Sequence, residues 1–197
     1  MGMLKQIRTF YEDQRASVTV EVVMVLPLLL WGYFGLFVLF DGYRALSANI
    51  RVAYTVSDMI SRETEMNGPF IEGLNDLQDV LTQSPHRTVL RVTAVSYDAD
   101  ADDHELEWSY STAGKTAVAA GSMSTEIEPY LPVMSDTEWL IVVETWMAFV
   151  PFLSITLDEL YGKERDPDAV FGPFYFESLV TTRPRFAGQL CWTGSQC

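Results

Sequence analysis

The sequence predicts an α+β protein: a long N-terminal helix packed on an antiparallel sheet of about four strands. Three observations lead there. Residues 18–40 are uncharged apart from one acid, Glu21. Residues 46–60 carry an apolar stripe at helical spacing. Beyond residue 88 the period changes to two, in runs rich in β-branched and aromatic side chains.

The helix comes first. Val22 to Phe40 gives 19 residues without a charge. At ~1.5 Å per residue this spans roughly 28 Å, about the hydrocarbon thickness of a bilayer. A helix in a soluble core is seldom apolar on every face for so long. A transmembrane segment over 22–40 is therefore expected, with Trp31, Tyr33 and Tyr43 as candidate interfacial anchors. Lys5, Arg8 and Arg15 precede the span, and Arg44 and Arg51 follow it, so the flanking bias is slight. The acidic bulk beyond the span favours an N-terminus in the cytoplasm and a C-terminal domain outside. A cleaved secretory signal fits less well. The apolar run is long for one, and Asp41 and Arg44 stand just before the small-residue site Ala45-Leu46-Ser47.

Past the membrane the helix continues. Leu46, Ile50, Ala53, Val56 and Ile60 recur at steps of 4, 3, 3 and 4, while Arg44, Arg51, Asp58 and Arg62 lie on the opposite face. Asn67-Gly68-Pro69 is a strong breaker, so the N-terminal helix is expected to fill 17–66. Half of it is a membrane segment and half is amphipathic.

Residues 67–197 form the outer domain. Phe70, Leu74, Leu77 and Leu81 predict a short amphipathic helix. Thr88–Tyr97 and His104–Ser111 read as two strands of a hairpin about the acidic turn at 98–103. In the second strand Leu106, Trp108 and Tyr110 are expected on one face, and His104 is expected to be exposed. Residues 116–123 read as loop, and 125–128 as one helical turn. Trp139–Phe152 suits a central strand. Leu157–Pro173, with Gly162, Pro167 and Gly172, reads as a long excursion, and Phe174–Arg183 as the fourth strand.

Charge excludes one class of partner. The chain has a formal net charge of −14. Residues 1–16 hold three cations and two acids, and Glu21 brings that sum to zero. The whole −14 therefore lies beyond the membrane, and such a domain repels phosphate backbones, so no nucleic acid is expected. The two cysteines, Cys191 and Cys197, could close a small ring in an oxidising compartment.

Asp98, Asp100 and Asp102 resemble the first half of a calcium loop. Asp103 stands where that loop needs glycine, and Ser109 where it needs a bidentate glutamate. They remain a weak calcium candidate beside the reading as a solvated hairpin tip. Phosphate loops, zinc spacings and nucleophile elbows do not occur, so neither catalysis nor a cofactor is expected.

Glu21 needs an account. An acid within lipid costs about 2.5–3.5 kcal/mol at a helix centre and less near an end. It could be an interfacial residue with no task. Alternatively it has a cation to meet. If the chain were cut between Ala16 and Ser17, the new amine of Ser17 would lie one helical turn from Glu21, or beside the Glu21 of a neighbouring chain. Either pairing would offset the desolvation of both charges. Pro27 lacks an N–H for the Val23 carbonyl and predicts a local kink. Lipid tolerates such a kink.

A short basic leader, a small residue, S-V-T-V-E and then V-V-M-V-L-P-L-L-L together resemble the TadE-like pseudopilins of the tight-adherence (Flp-type) branch of type IV pilus machinery. The resemblance covers residues 15–30. It implies a pilin-like fold, a leader (1–16) removed by a prepilin peptidase, and a role in pilus assembly. Ala16 would be the last leader residue, Ser17 the new N-terminus and Glu21 the assembly glutamate. The family usually has glycine before the cut, where this chain has Ala16, and often an aromatic after the glutamate, where it has Val22. The implied partners are other pilins and pseudopilins, the peptidase and the inner-membrane assembly platform. The implied place is the bacterial inner membrane, crossed once, with the C-terminal domain periplasmic or extracellular. The rival expectation is an uncleaved single-pass envelope protein whose acidic domain binds another envelope protein or calcium.

Overall fold

The computed structural model describes residues 14–84, 86–151 and 174–194. Residues 1–13, the excursion expected at Leu157–Pro173, and Cys197 lie outside them. The chain divides into two compact units, Met1–Gly42 and Tyr43–Cys197.

Helix α1 runs Gln14–Ser61 and supplies the described part of the first unit. Pro27 lies inside it without ending it. The helix closes six residues before Asn67-Gly68-Pro69, with tight i→i−3 bonds from Arg62 N to Met59 O (3.2 Å) and from Glu63 N to Ile60 O (3.1 Å). The expected stop at 66 is thus corrected, and the reason is a competing partner. Glu65–Met66 form a short strand, β1, paired in parallel with β6 (Cys191–Trp192).

Asn67-Gly68-Pro69 in fact starts a helix. Asn67 caps α2 (Gly68–Thr82): its Oδ1 accepts from Phe70 N at 2.9 Å, and Pro69 occupies the first turn. The buried face of α2 is Ile71, Leu74, Asn75 and Gln78, whereas Leu81 is exposed and Phe70 and Leu77 are half-buried. This corrects the expected stripe of Phe70, Leu74, Leu77 and Leu81. Asn75 and Gln78 are polar, so a search for apolar spacing turns the helix toward the wrong face.

The second unit centres on a four-stranded antiparallel sheet in the order β3-β2-β4-β5. Its strands are β2 (Val89–Asp98), β3 (Asp103–Ser111), β4 (Trp139–Phe149) and β5 (Phe174–Thr182). The α+β class, the hairpin and the internal place of β4 agree with expectation. Val92 lies opposite Tyr110 on one side and Val143 on the other, which fixes the register.

One face of the sheet packs on helix. Leu90, Val92, Ile141 and Val143 cluster with Val52, Val56 and Ile60 of α1, and with Ile71 and Leu74 of α2. Each fully buried side chain of this kind contributes on the order of 1.5–3 kcal/mol. Of the stripe read at 46–60, Ala53, Val56 and Ile60 are buried, whereas Ile50 is exposed and Asn49 and Val52 complete the buried face of the second half of α1. The other face of the sheet is covered too. Val95, Leu140 and Val142 pack against Val118, Met123, Ile127 and Met134 from the connection between β3 and β4. That connection holds a 3₁₀ turn (Ala120–Ser122), a one-turn α3 (Met123–Glu126) and a second 3₁₀ turn (Glu128–Tyr130). Covering both faces explains why Leu90–Val95 are buried without alternation.

Strand β3 departs from simple alternation. Ala94 pairs with Trp108 but Val95 pairs with Leu106, so Glu107 is an extra residue, a β-bulge. Trp108 and Tyr110 consequently join the helix-side cluster while Leu106 joins the opposite one. A shared face for the three is corrected. The same shift sets His104 opposite Tyr97, their rings 5.1 Å apart. His104 also comes within 3.9 Å of Glu128 and is only 17% exposed, not the free surface residue expected.

Candidate functional site

Two regions hold groups able to act: the apolar part of α1 and a charged cluster on the outer face of the sheet.

In α1, nearly every apolar side chain from Val18 to Phe40 is exposed, with Leu28, Trp31 and Leu39 at 70% each. A helix buried in a soluble core would not present such a surface. Among the described residues this is the one helix long and apolar enough to cross a membrane. Glu21 is exposed on it, and no described residue pairs with its carboxylate. Ala16 and Ser17 lie on the helical backbone just before it. At the other end of the chain, Cys191 is not a free thiol. Its expected partner Cys197 is outside the described residues.

The acidic hairpin tip uses its carboxylates internally. Asp98 Oδ1 accepts from Asp100 N (2.8 Å) and Ala101 N (3.2 Å), and Tyr97 Oη donates to Asp102 Oδ1 (2.7 Å). These are turn-forming bonds. Among the described residues no group of three or more His, Cys, Asp or Glu is placed to hold a metal ion.

The charged cluster is built by the register of β2 and β4. Arg91 lies opposite Glu144. Its Nε donates to Glu144 Oε2 at 2.6 Å and its Nη2 to Oε1 at 2.8 Å, a two-pronged ion pair. Its Nη1 reaches Glu126 Oε2 at 2.8 Å and the carbonyl of Thr116 at 3.4 Å. Arg91 is 5% and Glu144 2% exposed. Burial disfavours the guanidinium, but Glu144 and then Glu126 outweigh it, so its pKa is raised. The Glu126 carboxyl is lowered by the Ser122 hydroxyl and by Arg91.

Trp146 lies beside this network, its ring centre 5.2 Å from the Arg91 guanidinium carbon. The Lys115 ammonium rests 3.1 Å from the same ring centre. Desolvation, then repulsion from Arg91, lowers the Lys115 pKa. These residues, with Tyr130, Glu177 and Leu179, line a cavity of about 460 Å³.

The chain matches no known protein family, no curated protein and no solved structure. What it does must be argued from its own residues.

The structure does not bring the sequence-selected residues together. Glu21 and Pro27 belong to the first unit, and the Asp98 turn and Cys191 to the second. The cluster around Arg91 was missed. Its signal was present: Arg91 is the lone cation in an apolar β run, and Glu144 the lone acid in another. Two opposite charges, each isolated in a strand buried on both faces, have to find each other.

Proposed function

We propose that this chain is a membrane-anchored minor pseudopilin of TadE-like type, a structural or assembly component of a tight-adherence pilus. A prepilin peptidase removes residues 1–16. Ser17 becomes the N-terminus, and its amine meets the Glu21 carboxylate, within one chain or between neighbours. The apolar half of α1 sits in the inner membrane and packs beside other pilins. The sheet domain lies outside.

The observation that carries this reading is Glu21. It is the single charged side chain between Val18 and Phe40, it stands one turn past Ser17, and no described residue neutralises it. An unpaired acid at a lipid boundary is costly, and a new α-amine one turn away would offset that cost. The division of α1 into an exposed apolar part and a part packed on an antiparallel sheet supports a pilin-like plan.

Co-expression of the full chain with a prepilin peptidase, followed by N-terminal sequencing, tests the proposal. Release of residues 1–16 with Ser17 first is the expected result. An intact N-terminus that still supports normal function favours the uncleaved envelope protein. A cut after Ser47 favours a secreted protein.

A further inference from the structure

We propose that the cavity at Trp146 binds a primary alkylammonium, the end group of a lysine side chain on a partner protein, and that Lys115 is its displaceable occupant.

Lys115 defines the ligand chemistry, because the cavity already holds such a group. Its ammonium lies 3.1 Å from the Trp146 ring centre, yet no described acceptor takes a hydrogen bond from it. An ammonium has three donors, and here none is directly satisfied by a described residue. The lowered pKa of Lys115 fits a group held against its preference for water. Leaving the ring would break no hydrogen bond to a described residue.

The loop allows such a departure. Lys115 follows Ala113 (φ 53°) and Gly114 (φ 76°), two successive left-handed residues, and is itself exposed. Trp146, by contrast, is fixed in β4 between β2 and β5, where it pairs with Val89 and Glu177. The platform is rigid and the occupant is on a turn.

Charge selects a cation. The lining contains Arg91, Lys115 and three glutamates, so it sums to −1 with Lys115 in place and −2 with Lys115 withdrawn. Glu126 and Glu144 are engaged by Arg91. Glu177 is exposed at the wall with no described hydrogen-bond partner, its charge acting on Lys115 without direct contact. It is the carboxylate free to accept from an incoming ammonium. With Lys115 gone, the ring face and Glu177 together form a cation site in a domain already strongly acidic.

The test uses the full chain in detergent micelles, with n-butylammonium as the lysine mimic and the backbone amide shifts of Thr145 and Met147, which flank the platform in β4, as the NMR reporter. Lys115→Ala should bind the probe about tenfold more tightly than the unaltered protein, because the resident competitor is gone. Adding Trp146→Phe should weaken that binding, and adding Glu177→Gln should weaken it further without touching the core. Equal affinity with and without Lys115 would overturn the displacement idea. Equal response to uncharged n-butanol would reduce the site to an apolar hollow and overturn the proposal.

Discussion

Arg91 and Glu144 face one another across β2 and β4, joined through the Nε–Nη2 edge of the guanidinium at 2.6 and 2.8 Å and almost wholly removed from solvent. Removing one partner strands the other charge in the interior. Glu144→Leu, or Arg91→Met alone, should destabilise the outer domain by about 3–5 kcal/mol. The double change to Met and Leu should recover much of that loss, because no buried charge is left unpaired and Glu126, 40% exposed, can turn to water. Urea unfolding of the three variants measures both effects. Additive losses would show that the two side chains act independently.

Glu126 adds a pH dependence to the same network. Its folded pKa lies below the unfolded value, held there by Ser122 and by Arg91. The sign follows from linkage: the contribution is present above the unfolded pKa and is lost as pH falls through the folded one. Stability should therefore drop as pH moves from about 5 toward 3, and Glu126→Gln should flatten part of that drop. Equal slopes for the two proteins would mean that the carboxylate is not coupled to folding.

The packing of α1 on the sheet has its own test. Ile60 is completely buried among Leu90, Ile141 and Leu190 of one cluster. Ile60→Ala should cost about 2–5 kcal/mol. Ile50, on the same stripe but 37% exposed, should cost clearly less. Thermal unfolding of the two variants ranks them.

Thr137 holds a left-handed conformation (φ 57°) in the turn before β4, and its N–H bonds to Tyr97 O at 2.9 Å. A β-branched residue is strained there. Thr137→Gly should raise stability by about 1 kcal/mol despite the added chain entropy, because the left-handed penalty is about 1–2 kcal/mol. A loss of stability would place the threonine side chain among the contacts that hold the turn.

If the chain is the pseudopilin proposed above, Glu21→Ala should leave cleavage before Ser17 unchanged while weakening crosslinks between neighbouring membrane helices. Crosslinking at the level of the unaltered chain would remove the pairing between Glu21 and Ser17 from consideration.

Much of the fold was legible because hydrophobic period reports burial. The stripe at Val56 and Ile60 pointed to the sheet, and the β-branched run around Val92 marked a strand. What escaped depends on partners distant in sequence. α1 ends early because Glu65 and Met66 pair with Cys191 and Trp192, a contact that no local pattern announces. The extra residue at Glu107 moves Leu106 to the other face, although the residues alternate cleanly when read alone. The buried side of α2 carries Asn75 and Gln78, so polarity misdirects the eye. The charged cluster was written as two isolated ions and became readable only once the strands were aligned.

The pairing of β1 with β6 also sets an order of events. Leu190 is buried in the core beneath α1, Arg185 N bonds to Ser61 O at 2.8 Å, and Thr193 N bonds to Met66 O at 2.8 Å. Residues 185–193 thus complete a structure begun more than a hundred residues earlier in the chain. The sheet domain can finish folding only once these late residues are made, so a chain halted before residue 185 would keep the sheet-facing side of its helix incompletely sealed.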